Sequence, residues 1–148
     1  MNKIFLICFL LIAFSCNRKP SFSVIPKITY KSISSNLIKA GSSEQATRIS
    51  LIVEDGDGDI GYETENLFFK DSRDSSIIKM RIPVIPSEYA PNKGVKGTIT
   101  VDYLAAWLTL RPDTNHIEFD TLRWEIYMQD KAGNISNTIV TEDIYLFK

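Results

Sequence analysis

The chain has 148 residues, 44% of them hydrophobic and 24% charged, with a mean hydropathy of −0.06. That is enough apolar material to offset ordering entropy, which excludes wholesale disorder, and one domain of about 100 to 200 residues accounts for the length. With 17 Lys and Arg against 18 Asp and Glu the net charge is −1, so the broad basic field that sequence-independent nucleic-acid binding requires is missing and nucleic acid is excluded as a partner.

Met1, Asn2 and Lys3 precede an apolar run from Ile4 to Phe14, followed by Ser15 and Cys16. The run is too short for the roughly 20 residues of a membrane-spanning helix and matches the apolar region of about 7 to 15 residues in a secretory signal. Leu11, Ile12, Ala13, Phe14 and Ser15 have the pattern of a lipobox, in which apolar residues and a small one precede the cysteine that is acylated. Phe14 is bulkier than the tightest versions allow, so an ordinary secretory cleavage or an uncleaved anchor are the competing readings. Cys8 and Cys16 are the only cysteines, and no disulfide is expected once Cys8 is removed. The expected organisation is a signal peptide over 1–15, a lipidated N-terminus and tether over 16–26, and a folded domain over 27–148. Its partner at the N-terminus is the membrane, reached through lipid.

Alternation at period two dominates the chain beyond the tether. Ile28 and Tyr30 mark a first strand, and Ile49, Leu51 and Val53 alternate with Ser50, Ile52 and Glu54 in a second. Leu67 to Phe69 marks a third. Ile78, Met80, Ile82 and Val84 make a further candidate, which Pro83 and Pro86 push to a sheet edge because proline lacks the N–H that an inner ladder needs. Ile99, Val101 and Tyr103 alternate with Thr98, Thr100 and Asp102; Leu122 to Gln129 reads as one half-buried strand with Trp124 inward; Ile139 through Ile144 to Leu146 closes the series. Turn-forming residues separate these runs, at 40–43, 56–61, 71–76, 91–94, 111–115 and 131–134. Tyr103 to Leu110 is the best helical competitor, worth one or two turns. About seven short strands divided by turns predict an all-β, antiparallel β-sandwich, immunoglobulin-like or fibronectin-like, without the inter-sheet disulfide.

Glu54, Asp55, Gly56, Asp57, Gly58, Asp59, Ile60 and Gly61 follow directly on the second strand. Calcium takes six to eight oxygen ligands at about 2.3 to 2.6 Å, and a tight loop aims alternate carboxylates inward when glycine between them supplies unusual backbone angles. An EF-hand is excluded, because the sixth position from Asp55 is Ile60 where glycine is required and the twelfth is Asn66 rather than glutamate. A second acidic loop, Gln129 to Asn137, lies between the last two predicted strands, and in an immunoglobulin-like order the two loops share one end of the sandwich. Asp55, Asp57 and Asp59 are therefore the principal candidate ligands for a structural calcium ion, with Asp130 or Asn134 contributing and Glu54 a weaker candidate. The competing reading is a solvated acidic hairpin, since Asp-Gly is a common turn dipeptide.

The lipobox, the strand running into Glu54 to Gly61, and the stretch Tyr127 to Asn137 together resemble small Bacteroidota lipoproteins with an immunoglobulin-like domain. The resemblance covers most of the mature chain and implies a fold and a compartment: an outer-membrane lipoprotein of the cell envelope. No acidic run follows Cys16, which favours a periplasm-facing position.

His116 is the only histidine and sits in the turn Pro112 to His116, so neither a zinc cluster nor a catalytic triad is expected, and no phosphate-binding glycine loop is present. The chain reads as a binding or assembly module for an envelope protein or glycan and not as an enzyme. A calcium-dependent carbohydrate-binding lipoprotein is the alternative, with an envelope hydrolase third. Trp107 and Tyr62 are the aromatic candidates for ligand contact; whether they share one patch separates a glycan binder from an assembly subunit.

Overall fold

The computed structural model describes residues 22–86, 94–111 and 118–148. The expected signal peptide with Cys8, Cys16 and the start of the expected tether, and the turn from Pro112 to His116, lie outside them.

The described residues form ten strands: β1 Lys27–Ile33, β2 Leu37–Lys39, β3 Ala46–Asp55, β4 Leu67–Asp71, β5 Ile77–Met80, β6 Val95–Leu104, β7 Phe119–Leu122, β8 Trp124–Met128, β9 Ile139–Val140 and β10 Ile144–Phe147. They pair in three sheets, β1-β3-β6, β2-β10-β7 and β5-β4-β8-β9, which share a single core. The fold is the expected all-β sandwich. Its pairings are antiparallel except that β2 runs parallel to β10.

β3 sets the length of the molecule. Thr47, Ile49, Leu51, Val53 and Asp55 are its buried positions, as period two requires. It is flanked by β1 and β6, and its register against β6 runs from Ala46 opposite Leu104 at one end to Asp55 opposite Val95 at the other. At about 3.3 Å per residue those ends stand roughly 30 Å apart. On the β4 and β8 pair, Leu67, Phe69, Trp124, Ile126 and Met128 point inward. Their outward neighbours also match across the strands, with Phe68 stacked on Tyr127 at 4.8 Å between ring centres and Lys70 bonded to Glu125 at 2.9 Å. Trp124, a core residue as expected, lies edge-on to Phe69 and tilted against Tyr103, with ring centres 6.0 and 5.5 Å away. Burial of each large apolar side chain contributes about 1.5 to 3 kcal/mol.

Three elements differ from the sequence pattern. The strand expected over Leu122 to Gln129 is two strands: Leu122 ends β7 in one sheet and Trp124 begins β8 in another. Arg123 makes the crossing, donating its backbone N–H to Ser72 Oγ and its guanidinium to Asp143. Because Leu122 and Trp124 are both buried, the alternation passes through the switch unbroken. Ile139 to Leu146 likewise divides into β9 and β10, and β2 was not foreseen because it is three residues long with only Ile38 buried. Tyr103 to Leu110 holds just a 3-10 turn, Ala105–Trp107.

Pro83 and Pro86 act as expected: β5 stops at Met80 and is an edge strand. Beyond it Ile82 stays buried, donating its N–H to Asn66 Oδ1 and accepting at its carbonyl from Tyr62. Among the described residues no helix is long and apolar enough to cross a membrane.

Candidate metal centre

The acidic run begins as the last residue of β3, and the alternation turns Asp55 into the domain, where it is fully buried. Gly56 to Gly58 then reverse the chain, with Gly58 at φ +78°, a left-handed conformation that a side chain resists. The reversal returns Asp59 beneath the strand end, so that its N–H donates to Asp55 Oδ2 at 3.0 Å. Asp55, Asp57 and Asp59 each present a carboxylate oxygen, and the three atoms lie within 4.8 Å of one another. Oxygens about 2.4 Å from one calcium ion lie at most about 4.8 Å apart, so the spacing and the hard donor set both fit.

Asp57 is exposed and Asp59 half-buried. Asp55 Oδ1 and Asp59 Oδ1 are buried with no hydrogen-bond partner, which is costly for a carboxylate that has left water. Burial, reinforced by the charges of Asp57 and Asp59, pushes the Asp55 carboxyl up to about 6. Burial also raises Asp59, helped by the charges of Asp130 and Asp57. Among the described residues no Lys or Arg forms an ion pair with these aspartates. Glu54 lies on the other side of the strand and pairs with Lys96 at 2.6 Å, outside the group.

The second loop does meet the first. Lys131 N–H donates to the Asp59 carbonyl at 3.2 Å and Ala132 N–H to Asp59 Oδ2 at 3.1 Å. Asp130 is buried beside Asp59, but its oxygens are taken by Asn134: the backbone N–H reaches Oδ1 at 2.7 Å and the side-chain Nδ2 reaches Oδ2 at 2.8 Å. Asp130 and Asn134 thus shape the loop that covers Asp59, and the close group holds Asp55, Asp57 and Asp59.

Sequence reasoning missed Asn66. Buried just before β4, it donates from Nδ2 to the carbonyls of Ile60 at 2.7 Å and Gln129 at 3.1 Å, and accepts from Ile82 N–H at 2.9 Å. One amide therefore fastens the acidic loop to the second loop and to the segment after β5. A lone Asn ahead of an apolar strand carries no signal of this role.

Trp107 and Tyr62 are both exposed but do not form one patch. Trp107 stands edge-on to Tyr103, ring centres 5.5 Å apart, and Tyr103 pairs with Thr47 at the start of β3. Tyr62 bonds to Ile82 beside the acidic loop, at the other end. A wider apolar surface lies on the outer face of β2-β10-β7, where exposed Leu37 is opposite Tyr145, and exposed Phe119 is opposite Phe147.

A second group of charges, also missed, closes the far end. Arg73, its side chain only 9% exposed, bonds to Asp71 at 2.7 Å and Asp120 at 2.9 Å, and Arg111 adds a bond to Asp120 at 2.8 Å. Burial alone would raise Asp120, but hydrogen bonds from Arg111 and Arg73 prevail and hold its carboxyl at about 2. Comparison with known families, curated proteins and solved structures gives no match to this chain.

Proposed function

We propose that the chain is an exported, lipid-anchored module of the cell envelope, held to its membrane through Cys16, with calcium organising one end of a β-sandwich that binds or assembles with an envelope protein. The observation that carries the metal part is Asp55: fully buried, with an unpartnered oxygen, among three carboxylates at ligand spacing. Asp55, Asp57 and Asp59 hold the ion, and carbonyls or water complete its shell. The anchor part rests on the apolar run from Ile4 to Phe14 and on Cys16, and the kinship with Bacteroidota lipoproteins on the lipobox and the two acidic loops. The exposed apolar face of β2-β10-β7 supports a protein partner, and the separation of Trp107 from Tyr62 weighs against a shared stacking platform for a glycan. The role is binding, not catalysis.

The test is calcium titration of the full chain in detergent micelles, following heat and melting temperature, beside a triple Asp55, Asp57, Asp59 to Asn variant. Saturable binding lost in the variant is the expected result; no binding at millimolar calcium overturns the metal reading.

A further inference from the structure

The segment leading out to Cys16 is fastened to the two loops of the cation site. Gly56 N–H, between Asp55 and Asp57, donates to the Ser23 carbonyl at 2.7 Å. The approach is so close that a Cβ on Gly56 would stand 2.4 Å from the Phe22 carbonyl oxygen and 2.8 Å from that of Ser23. On the second loop Asn134 Nδ2, which Asp130 orients, reaches toward the Val24 carbonyl at 3.5 Å. Asn137 then brackets Ile28, accepting from its N–H and donating to its carbonyl, each at 2.9 Å. Val24 and Ile25 meanwhile project outward, 48% and 53% exposed. Phe22 is half-buried, with Lys96 Nζ 5.9 Å from its ring centre, but little apolar burial holds residues 23–25, so their docking depends on backbone bonds whose geometry the acidic turn sets.

Resting on the cation reading above, we propose that calcium at Asp55, Asp57 and Asp59 locks residues 22–25 against the domain, so that the same site regulates how freely the module swings on its anchor. With no ion, three carboxylates repel across the turn that carries Gly56, the Gly56 to Ser23 bond opens and the segment is released. With the ion the turn closes and the segment docks. Linkage makes the effect reciprocal: a docked segment raises calcium affinity by the factor by which calcium favours docking.

Amide hydrogen exchange on the full chain in micelles, with calcium or chelator and with binding followed in parallel by heat, tests this. Calcium slows exchange at Gly56, the donor to the Ser23 carbonyl, and at Ile25, the donor to Ser23 Oγ, by about tenfold or more, the lower part of the usual 5- to 150-fold coupling range. Gly56→Ala, which leaves every carboxylate in place, abolishes the slowing at Ile25 and weakens calcium binding by a similar factor. Saturable calcium binding with unchanged exchange at Ile25 overturns the lock and leaves the metal reading standing. Absence of binding overturns both. If Gly56→Ala fails to fold, seen as lost protection in β3 and β8, the comparison of the unaltered chain with and without calcium decides alone.

Discussion

Two groups of aspartates close opposite ends of the sandwich, and they differ in where their counter-charge comes from. At the β4 end, Asp71 and Asp120 surround Arg73, and the Asp120 carboxyl is drawn down to about 2. At the β3 end, Asp55, Asp57 and Asp59 meet with no Lys or Arg paired to them among the described residues, and the Asp55 carboxyl is pushed up to about 6. The chain completes the first group from its own side chains; in the function proposed above, calcium completes the second. Burial raises both carboxyls; at Asp55 the neighbouring aspartates add to it, and at Asp120 the hydrogen bonds from Arg111 and Arg73 overcome it.

The contrast is broken most forcefully from the side of the arginine. Arg73→Met leaves buried Asp71 without its partner and Asp120 with Arg111 alone, and removal of one member of a buried pair costs about 3 to 5 kcal/mol. Melting temperature should fall by roughly 10 to 20 °C in a thermal melt, with or without calcium. A smaller loss would mean that Arg111 takes over.

Neutralising one aspartate should have opposite signs at the two ends. In chelator at pH 7, Asp120→Asn destabilises, whereas Asp55→Asn relieves a buried repulsion and stabilises by about 1 to 3 kcal/mol, readable by denaturant unfolding. Destabilisation by Asp55→Asn without calcium would show that the fold needs that charge.

The same opposition appears along the pH axis. A raised carboxyl holds a proton in the folded state that the unfolded chain has released, so without calcium Asp55 makes stability fall as pH rises from about 4 to about 6. A lowered carboxyl works the other way: the Asp120 contribution is complete above about 4 and is lost as pH falls toward 2. Melting curves in chelator from pH 2 to 8 should therefore show a maximum near pH 4, which moves toward neutrality when calcium is added. A maximum that calcium leaves in place would contradict ion binding at the raised group.

Calcium itself has a smaller effect. At about ten times its dissociation constant an ion adds about 1.4 kcal/mol, or a few degrees of melting temperature for a domain of this size. Smallest of all is Asp57→Asn, which alters an exposed side chain: it should weaken calcium binding several-fold in titration while leaving the calcium-free melting temperature within about 1 °C.

Much of the fold and of the acidic site was legible in the sequence, for identifiable reasons. Strands with one wet and one dry face write their period into the chain, as Ile49, Leu51 and Val53 do in β3. The alternation of aspartate and glycine after Val53 exposed the acidic turn, and sandwich order anticipated its meeting with the loop at Asp130. The Arg73 group was invisible because it joins residues far apart in the chain, and no local pattern records that Asp120 returns beside Arg73. The same holds for Asn66, whose partners Ile60, Ile82 and Gln129 lie in three separate segments. Whether Trp107 and Tyr62 share one patch stayed open in the sequence, because nothing local shows that the whole length of β3 separates them.

The position of β10 bears on how the chain reaches this state. β10 is the middle strand of its sheet, and its neighbours β2 and β7 touch each other only through it. Leu37 and its partner Tyr145 are roughly a hundred residues apart, so β2 stays unpaired until the chain has been made as far as β10. Such distant pairing places folding toward the slow, millisecond-to-second range of β proteins. The β2-β10-β7 sheet is therefore the last of the three to close, and β2 offers an open edge until it does.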